Sequence, residues 1–433
     1  MPELQYLNER LLHFIWQFQY YNAASLVTDA GEPVKVIKPG QYNTHQGPDF
    51  LEAVIQINQI TLVGNVEIHV QASDWLAHQH ENDPHFKNVI LHVVWQNNKA
   101  IPDASGNSMH TLSLCNRVSK LLLEHYQQLL QTPQKIPCSL HLPALSYLEW
   151  MAWKERLAVE KLMGNTEKII QKLHATKGHW EAVFWQVLAY NFGLTQNALL
   201  FQEMVALTPV NILAKHKNNI QQLEALLLGQ ANLLNRNDFE DKYVQMLQKE
   251  YLFLQKKYSL KPANALPKFL RMRPANFPTV RLAQLAMLIH QSFHLFDAIK
   301  KATTIQQVSA LFNVTANDYW HYHYNLTDEP TAYLPKKLGR QMINTLIINT
   351  VSPMLFAYGH YHNDDNYKNK VIQWLTLLPA EKNLITSNWL QYQIPNKNAF
   401  DSQAFIHLSR QYCSEKKCLS CMVGHKILKQ TSR

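Results

Sequence analysis

A chain of 433 residues is longer than one hydrophobic core readily fills, so two or three domains are expected, and 46% apolar with 17% charged residues excludes a disordered chain. Lys and Arg outnumber Asp and Glu 41 to 32, a formal charge of +9 that favours a polyanionic partner, although no clustered run of Lys/Arg concentrates the excess. The N-terminal MPELQYLNERLLHF carries charges where a signal peptide needs an apolar core, no stretch of roughly 18 apolar residues exists, and the five cysteines do not read as a secreted disulfide framework, so a cytoplasmic protein with no membrane span is expected.

Glycine is scarce, 12 residues in all, which favours long helices over a turn-rich β architecture. Leu4, Leu7, Leu11, Leu12, Ile15 and Trp16 predict an amphipathic helix over 4–20. VKVI (34–37) reads as a short strand, and LEAVIQI (51–57) meets ITLVGNVEIHV (60–70) across the two-residue turn Asn58-Gln59. One or two helical turns follow at 74–80, then NVILHVVW (88–95), whose continuous apolar run predicts a strand buried on both faces. A loop over 101–109, a helix over 116–131 and the linker TPQKIPCSLHLP lead to a stretch, from Tyr147 to about Ile299, that is helical almost throughout. Gly193 is expected to cap a helix C-terminus, and further helices fall near 304–312, 337–351, 366–377 and 400–412.

Asp49, Glu67 and five histidines (His69, His78, His80, His85, His92) are concentrated between positions 49 and 92. With Asn58-Gln59 as the turn, paired residues sum to about 117, so Asp49 falls opposite position 68, flanked by Glu67 and His69 on one face. Antiparallel partners sit ~5 Å apart, so two carboxylates and an imidazole converge at one end of the hairpin. Carboxylates held this close repel unless a cation lies between them, and a hard divalent ion with a neutral imidazole beside it points to metal-assisted hydrolysis. The structural alternative has Asp49 capping a turn, Glu67 in a surface pair and His69 as a polar strand residue. His78 and His80, at i and i+2, do not share a helical face. His92 reads as a core histidine and Trp75 as a core anchor.

The order helix, strand, strand, strand, helix, strand over roughly residues 1–100, with GPDF (47–50) entering the second strand and Glu67-Ile68-His69 on the third, resembles the core of the PD-(D/E)XK nuclease superfamily. The resemblance implies Mg²⁺ held by Asp49 and Glu67 and places His69 where those nucleases carry a lysine that activates water. That exchange leaves open a working variant site or a catalytically impaired one. A further acid from the first helix would be Glu9 or Glu3.

At the C-terminus, Cys413, Cys418 and Cys421 form C-x4-C-x2-C, with His425 four residues on. A soft ion needs four such ligands, so His425 would complete a zinc site, or Cys138 an all-thiolate site for zinc or an iron–sulfur cluster. In RMRPANFPTVR, Arg271, Arg273 and Arg281 surround a proline-stiffened turn, positioned either to grip phosphates or to pin helix ends. The tract YWHYHY (319–324) reads as an aromatic helix packed into the core.

GPDF, GNVEIH, SDW-x2-H-x-H, NVILHVVW, RMRPANFPTVRLAQLA, IINTVSP, LPAEKN and the terminal YC-x4-CLSC together resemble an uncharacterised bacterial group, the domain-of-unknown-function family 2851. The expected fold is a multidomain α/β protein. Residues 1–105 form a restriction-endonuclease-like mixed sheet with flanking helices, 106–140 a linker helix and loop, 141–410 an all-α domain, and 411–433 a Cys-rich metal-binding terminus. The expected function is a metal-dependent nucleic-acid phosphodiesterase or an impaired relative that binds nucleic acid, DNA before RNA. From a different class, a helical scaffold that binds a protein partner and carries a relic nuclease fold is the alternative.

Overall fold

The computed structural model describes residues 6–103, 106–143, 145–236, 238–292 and 294–430. Two compact units divide the chain: one comprises Met1–Trp153 with His407–Arg433, the other Lys154–Ile406. The terminal cysteines therefore fold with the N-terminal unit, and the helix expected as a linker over 106–140 lies inside that unit.

The first unit is a curled mixed sheet with helices. Helix α1 (Glu9–Gln17) is capped by Asn8, whose side chain accepts from the Leu11 N–H, and its stripe of Leu11, Leu12, Phe14, Ile15 and Trp16 is buried. Strands β1 (Val34–Lys38), β2 (Gln41–Tyr42), β3 (Phe50–Ile57), β4 (Ile60–Gln71), β5 (Val89–Gln96) and β6 (Thr111–Ser113) follow. The sheet order is β1-β3-β4-β5-β6, with β2 pairing β3. The β1–β3 and β3–β4 pairs are antiparallel, while β4–β5 and β5–β6 are parallel. The crossover from β4 to β5 is made by α2 (Asp74–Ala77) and two single-turn 3₁₀ segments, His80–Asn82 and Pro84–Phe86. Helix α3 (Lys120–Gln131) and the terminal helix Met422–Gln430 complete the unit.

The β3–β4 turn falls where the sequence places it: Ile57 pairs with Ile60 and Gln56 with Thr61, and Asn58 takes the left-handed conformation (φ 54°) that such a turn requires. Beyond Ala53 the register slips. Glu52 adopts φ 55°, a bulge inserts one residue, and Phe50 pairs with Val66. Asp49 thus comes level with Glu67 instead of Ile68. Strand β6, too short to carry a periodic signal, was not expected from the sequence.

The second unit is helical. Its helices include α4 (Tyr147–Ala175), which begins just before the unit boundary, α5 (Trp180–Phe192), α6 (Leu194–Leu207), α7 (Val210–His216), α8 (Ile220–Gln230), α9 (Lys242–Tyr258) and α10 (Pro278–Gln291). Gly193 is the C-cap of α5, as expected, but not in the left-handed region: it sits at φ −66° and leads directly into α6, with Leu194 at φ 53° taking the bend. Lys154 and Asp401 form a buried ion pair at 3.1 Å near the two ends of the unit. No single helix among the described residues is long and apolar enough to cross a membrane. The bent pair α6–α7 passes on length and composition together, but Leu200, Phe201, Met204 and Leu213 are buried in the helical core.

Apart from the exposed Tyr322, the YWHYHY tract packs inward, as expected, with Trp320 wholly buried. Its indole N–H donates to Glu224 Oε1 at 3.1 Å, and the Tyr243 hydroxyl donates to Oε2 at 2.6 Å. Burial pushes the Glu224 carboxyl up to about 7. The folded state then holds a proton that the unfolded chain releases above its ordinary carboxylate range, so stability falls as pH rises from about 4.5 to 7. Urea unfolding at pH 5 and pH 8 is expected to show this loss, on the order of 3 kcal/mol, in the wild type and its absence in Glu224→Gln.

Candidate functional site

The bulge in β3 and the alternation of β4 build a cluster at one end of the hairpin. The Asp49 backbone N–H donates to Glu67 Oε2 at 3.0 Å, and the Ile68 N–H donates to Asp49 Oδ2 at 3.0 Å, so each carboxylate is fixed by the other strand's backbone. Asn43 holds the approach to Asp49, its side-chain amide donating to the Pro48 carbonyl. Glu67 and His69 share the buried face of β4, at 5% and 1% exposure. Asp49, Glu67 and His69 therefore do come together.

Further imidazoles surround them. His92 on β5 is level with Glu67 and places Nε2 2.9 Å from His69 Nδ1. With His69 donating there, its Nε2 turns a lone pair into the cluster. His78 Nδ1 lies 3.2 Å from that nitrogen, and His80 Nε2 lies 3.4 Å from Glu67 Oε1. One ring nitrogen from each of His69, His78 and His80 falls within 4.8 Å of the others, close enough to share one ion. The expectation that His78 and His80 point apart is corrected here. Helix α2 ends at Ala77, and Gln79 takes φ 60°, which folds the chain back so that both rings face the same point. His80 also stacks on Phe86 at 3.9 Å, and Trp75, buried as expected, packs edge-on against His80. His85 stands apart, paired with Asp83 at 2.7 Å.

Helix α1 contributes two groups from one face. His13 Nε2 lies 3.1 Å from Asp49 Oδ2, and the Glu9 carboxyl is raised first by burial and then by the Asp49 charge. Glu9 is thus the first-helix acid that meets the site, while Glu3 lies outside the described residues. The sequence signal for His13 was its i, i+4 spacing from Glu9. Burial, then Asp49, drives the Glu67 carboxyl well above the usual carboxylate range. Burial, then His92 and His80, holds the His69 imidazole neutral across ordinary pH. Crowded carboxylates beside neutral imidazoles make an oxygen-and-nitrogen donor set suited to a divalent cation.

The terminal cysteines form a second cluster. Cys138, Cys418 and Cys421 are buried, and none of the five cysteines is in a disulfide. Burial pushes the Cys138 and Cys418 thiols up to about 12, with neighbouring thiols adding to the effect. Cys413 is raised by burial and then by Cys421, Cys138 and Cys418. His425 belongs elsewhere: its Nε2 is 2.5 Å from the Tyr20 hydroxyl and its ring 4.2 Å from that of Phe18. Of the two candidates for a fourth ligand, Cys138 is the one whose thiol is raised by the neighbouring Cys421 and Cys418. Gly424 lets the terminal helix pack closely on Cys418, since a Cβ there would lie 2.2 Å from the Cys418 carbonyl oxygen.

In the helical unit, Arg271 and Arg273 are exposed and Arg281 is buried, and all three line one cavity of about 790 Å³. Arg281 donates to Asn276 Oδ1 at 2.6 Å and Gln284 Oε1 at 2.8 Å, so it is held by neutral side chains and pins no helix C-terminus.

By fold and site, this is a two-unit protein: a mixed α/β unit with a carboxylate–imidazole cluster, and a helical unit with a basic cavity. The chain belongs to the family described as protein of unknown function DUF2851, whose pattern matches residues 9–384 and so ends before the terminal cysteines. No curated protein and no solved structure matches it.

Proposed function

We propose that the first unit is a restriction-endonuclease-like domain and that the protein is a divalent-metal-dependent phosphodiesterase acting on nucleic acid. The observation that carries this reading is the meeting of Asp49, Glu67 and His69 at the end of the β3–β4 hairpin. The run of α1, an antiparallel three-strand meander, a short helix and a parallel strand supports it. Asp49 and Glu67 would hold the ion through oxygen, with His80 as a nitrogen ligand. The donor set is richer in nitrogen than Mg²⁺ prefers, which favours Mn²⁺ or Zn²⁺. Such an ion, when bound, lowers the pKa of a water and screens the phosphate charge. His69, held neutral, would orient that water through Nε2, on the side where the exposed His78 lies against the same nitrogen.

The test is incubation of the full chain with plasmid DNA, linear DNA and single-stranded RNA in Mg²⁺, Mn²⁺ or Zn²⁺, beside the Asp49→Asn/Glu67→Gln double variant. Cleavage by the wild type alone is the expected result. No cleavage by either, with no salt-dependent nucleic-acid binding, would falsify the proposal in favour of a scaffold. The role of His69 is read separately. His69→Gln is expected to cut about 100-fold more slowly while binding Mn²⁺ within about threefold of the wild type. An equal loss of metal affinity would make His69 a ligand instead.

We further propose that Cys138, Cys413, Cys418 and Cys421 hold a structural metal centre, zinc or an iron–sulfur cluster. The closed donor set leaves no position for substrate. Elemental analysis with an absorbance spectrum of the purified chain separates the two.

A further inference from the structure

The cavity of about 790 Å³ in the helical unit has an unusual charge balance. Arg271, Arg273, Arg281, Lys336 and Lys337 line it, and among the described residues no Asp or Glu does. Two of these cations are deeply buried, Arg281 at 7% and Lys336 at 4% exposure. Neither has an anionic partner among the described residues. Arg281 is held only by the two side-chain amides, its Nε has no hydrogen-bond partner, and burial alone pushes its guanidinium down to about 10. Lys336 Nζ donates to the Leu334 carbonyl at 3.2 Å and the His321 carbonyl at 3.4 Å, and lies 3.8 Å from the centre of the Tyr324 ring. Burying a cation without a counter-charge is costly, and a fold that does so twice at one cavity is built to receive the charge from outside.

The backbone adds to the same field. Leu194, Thr195 and Gln196 of α6 and Val280 and Arg281 of α10 line the cavity, so the first turns of two 14-residue helices meet it, and no side chain caps either. Both present the positive end of the helix dipole. Arg271 is held at φ 61°, a conformation that side chains other than glycine rarely adopt, and it sits at the exposed rim beside Arg273. Gln284 orients the wall, bonding Arg281 through Oε1 and donating from Nε2 to the Lys336 and Lys337 carbonyls.

We propose that this cavity binds a phosphorylated small molecule of nucleotide size, its phosphate oxygens gripped by Arg281 and Lys336 and closed over by Arg271 and Arg273. Guanidinium forks match phosphate oxygens in pairs, and the volume lies within the range of roughly 300–1,000 Å³ common for small-ligand sites. Val280, Leu334 and Met342 supply an apolar wall for the organic part. A nucleic-acid duplex does not fit, because the two buried cations lie out of reach of a backbone that stays at the surface. The inference stands apart from the proposed phosphodiesterase: it concerns the other unit, and its test reads binding without added metal.

Calorimetric titration of the full chain with pyrophosphate, ATP and adenosine tests it. Expected are binding of ATP and pyrophosphate at about 1 mM or below, weakening with salt, and none of adenosine. Arg271→Ala/Arg273→Ala, at exposed positions that leave the fold intact, is expected to bind ATP at least about tenfold more weakly. Arg281→Gln is expected to lose binding, with its fold checked by circular dichroism. Failure of both phosphates to bind, equal affinity in the rim double variant, or displacement of ATP by a duplex DNA at equal phosphate would overturn the proposal.

Discussion

Asp49→Asn combined with Glu67→Gln is expected to weaken Mn²⁺ binding to the first unit about 100-fold and to reduce metal-dependent cleavage to background. The amides are chosen because each carboxylate also accepts a backbone N–H, Asp49 from Ile68 and Glu67 from Asp49. Alanine would leave those buried donors unpaired, at about 1–3 kcal/mol each, and confuse folding with binding. An amide oxygen still accepts, so only the charge is lost. Saturating Mn²⁺ at about 100 times its dissociation constant should add about 2.7 kcal/mol to wild-type stability and leave the double variant unchanged. The pH dependence has a definite sign. Glu67 is held protonated at neutral pH by burial and by Asp49, so the ion must expel that proton to bind. Affinity should rise about tenfold per pH unit as the solution approaches the raised pKa, and calorimetry in buffers of different ionisation enthalpy should count the proton released.

The second large effect is expected at the cysteines. Cys138→Ser should release the metal and lower the unfolding midpoint of the first unit, a loss of several kcal/mol out of the roughly 10–16 kcal/mol that a four-ligand structural site supplies. His425→Ala should keep the metal, because that imidazole bonds Tyr20 and packs tilted against Phe18. Metal content and differential scanning calorimetry of the two variants check this. Equal metal retention by both would remove Cys138 from the ligand set.

What the sequence conveyed and what it withheld follow from the range of each interaction. The β3–β4 hairpin was legible because period-two alternation and a two-residue turn are local. The meeting of Asp49 with Glu67 was legible to within one residue, and the error is the bulge at Glu52, a non-glycine residue in a left-handed conformation that nothing in its type announces. The same reason hid the histidine triad. His78 and His80 diverge on any regular helix, and only the left-handed Gln79 turns them together. His13 and Glu9 reach the cluster through the packing of α1 on the sheet, a tertiary fact. The choice of Cys138 over His425 depended on where a residue nearly 300 positions upstream folds, which spacing cannot express. The arginines were visible as a motif. Their cavity was not, since Lys336 and Lys337 arrive from a separate segment and the absence of carboxylates around them is a property of the folded wall.

The most direct measurement for the first unit is anomalous diffraction at the manganese edge from crystals of the full chain soaked in Mn²⁺. One strong peak is expected within about 2.5 Å of a Glu67 carboxylate oxygen and of a ring nitrogen of the His69, His78 and His80 cluster, with Asp49 also in its shell. No peak there at saturating Mn²⁺, with the Asp49, Glu67 and His69 side chains unmoved, would contradict that expectation.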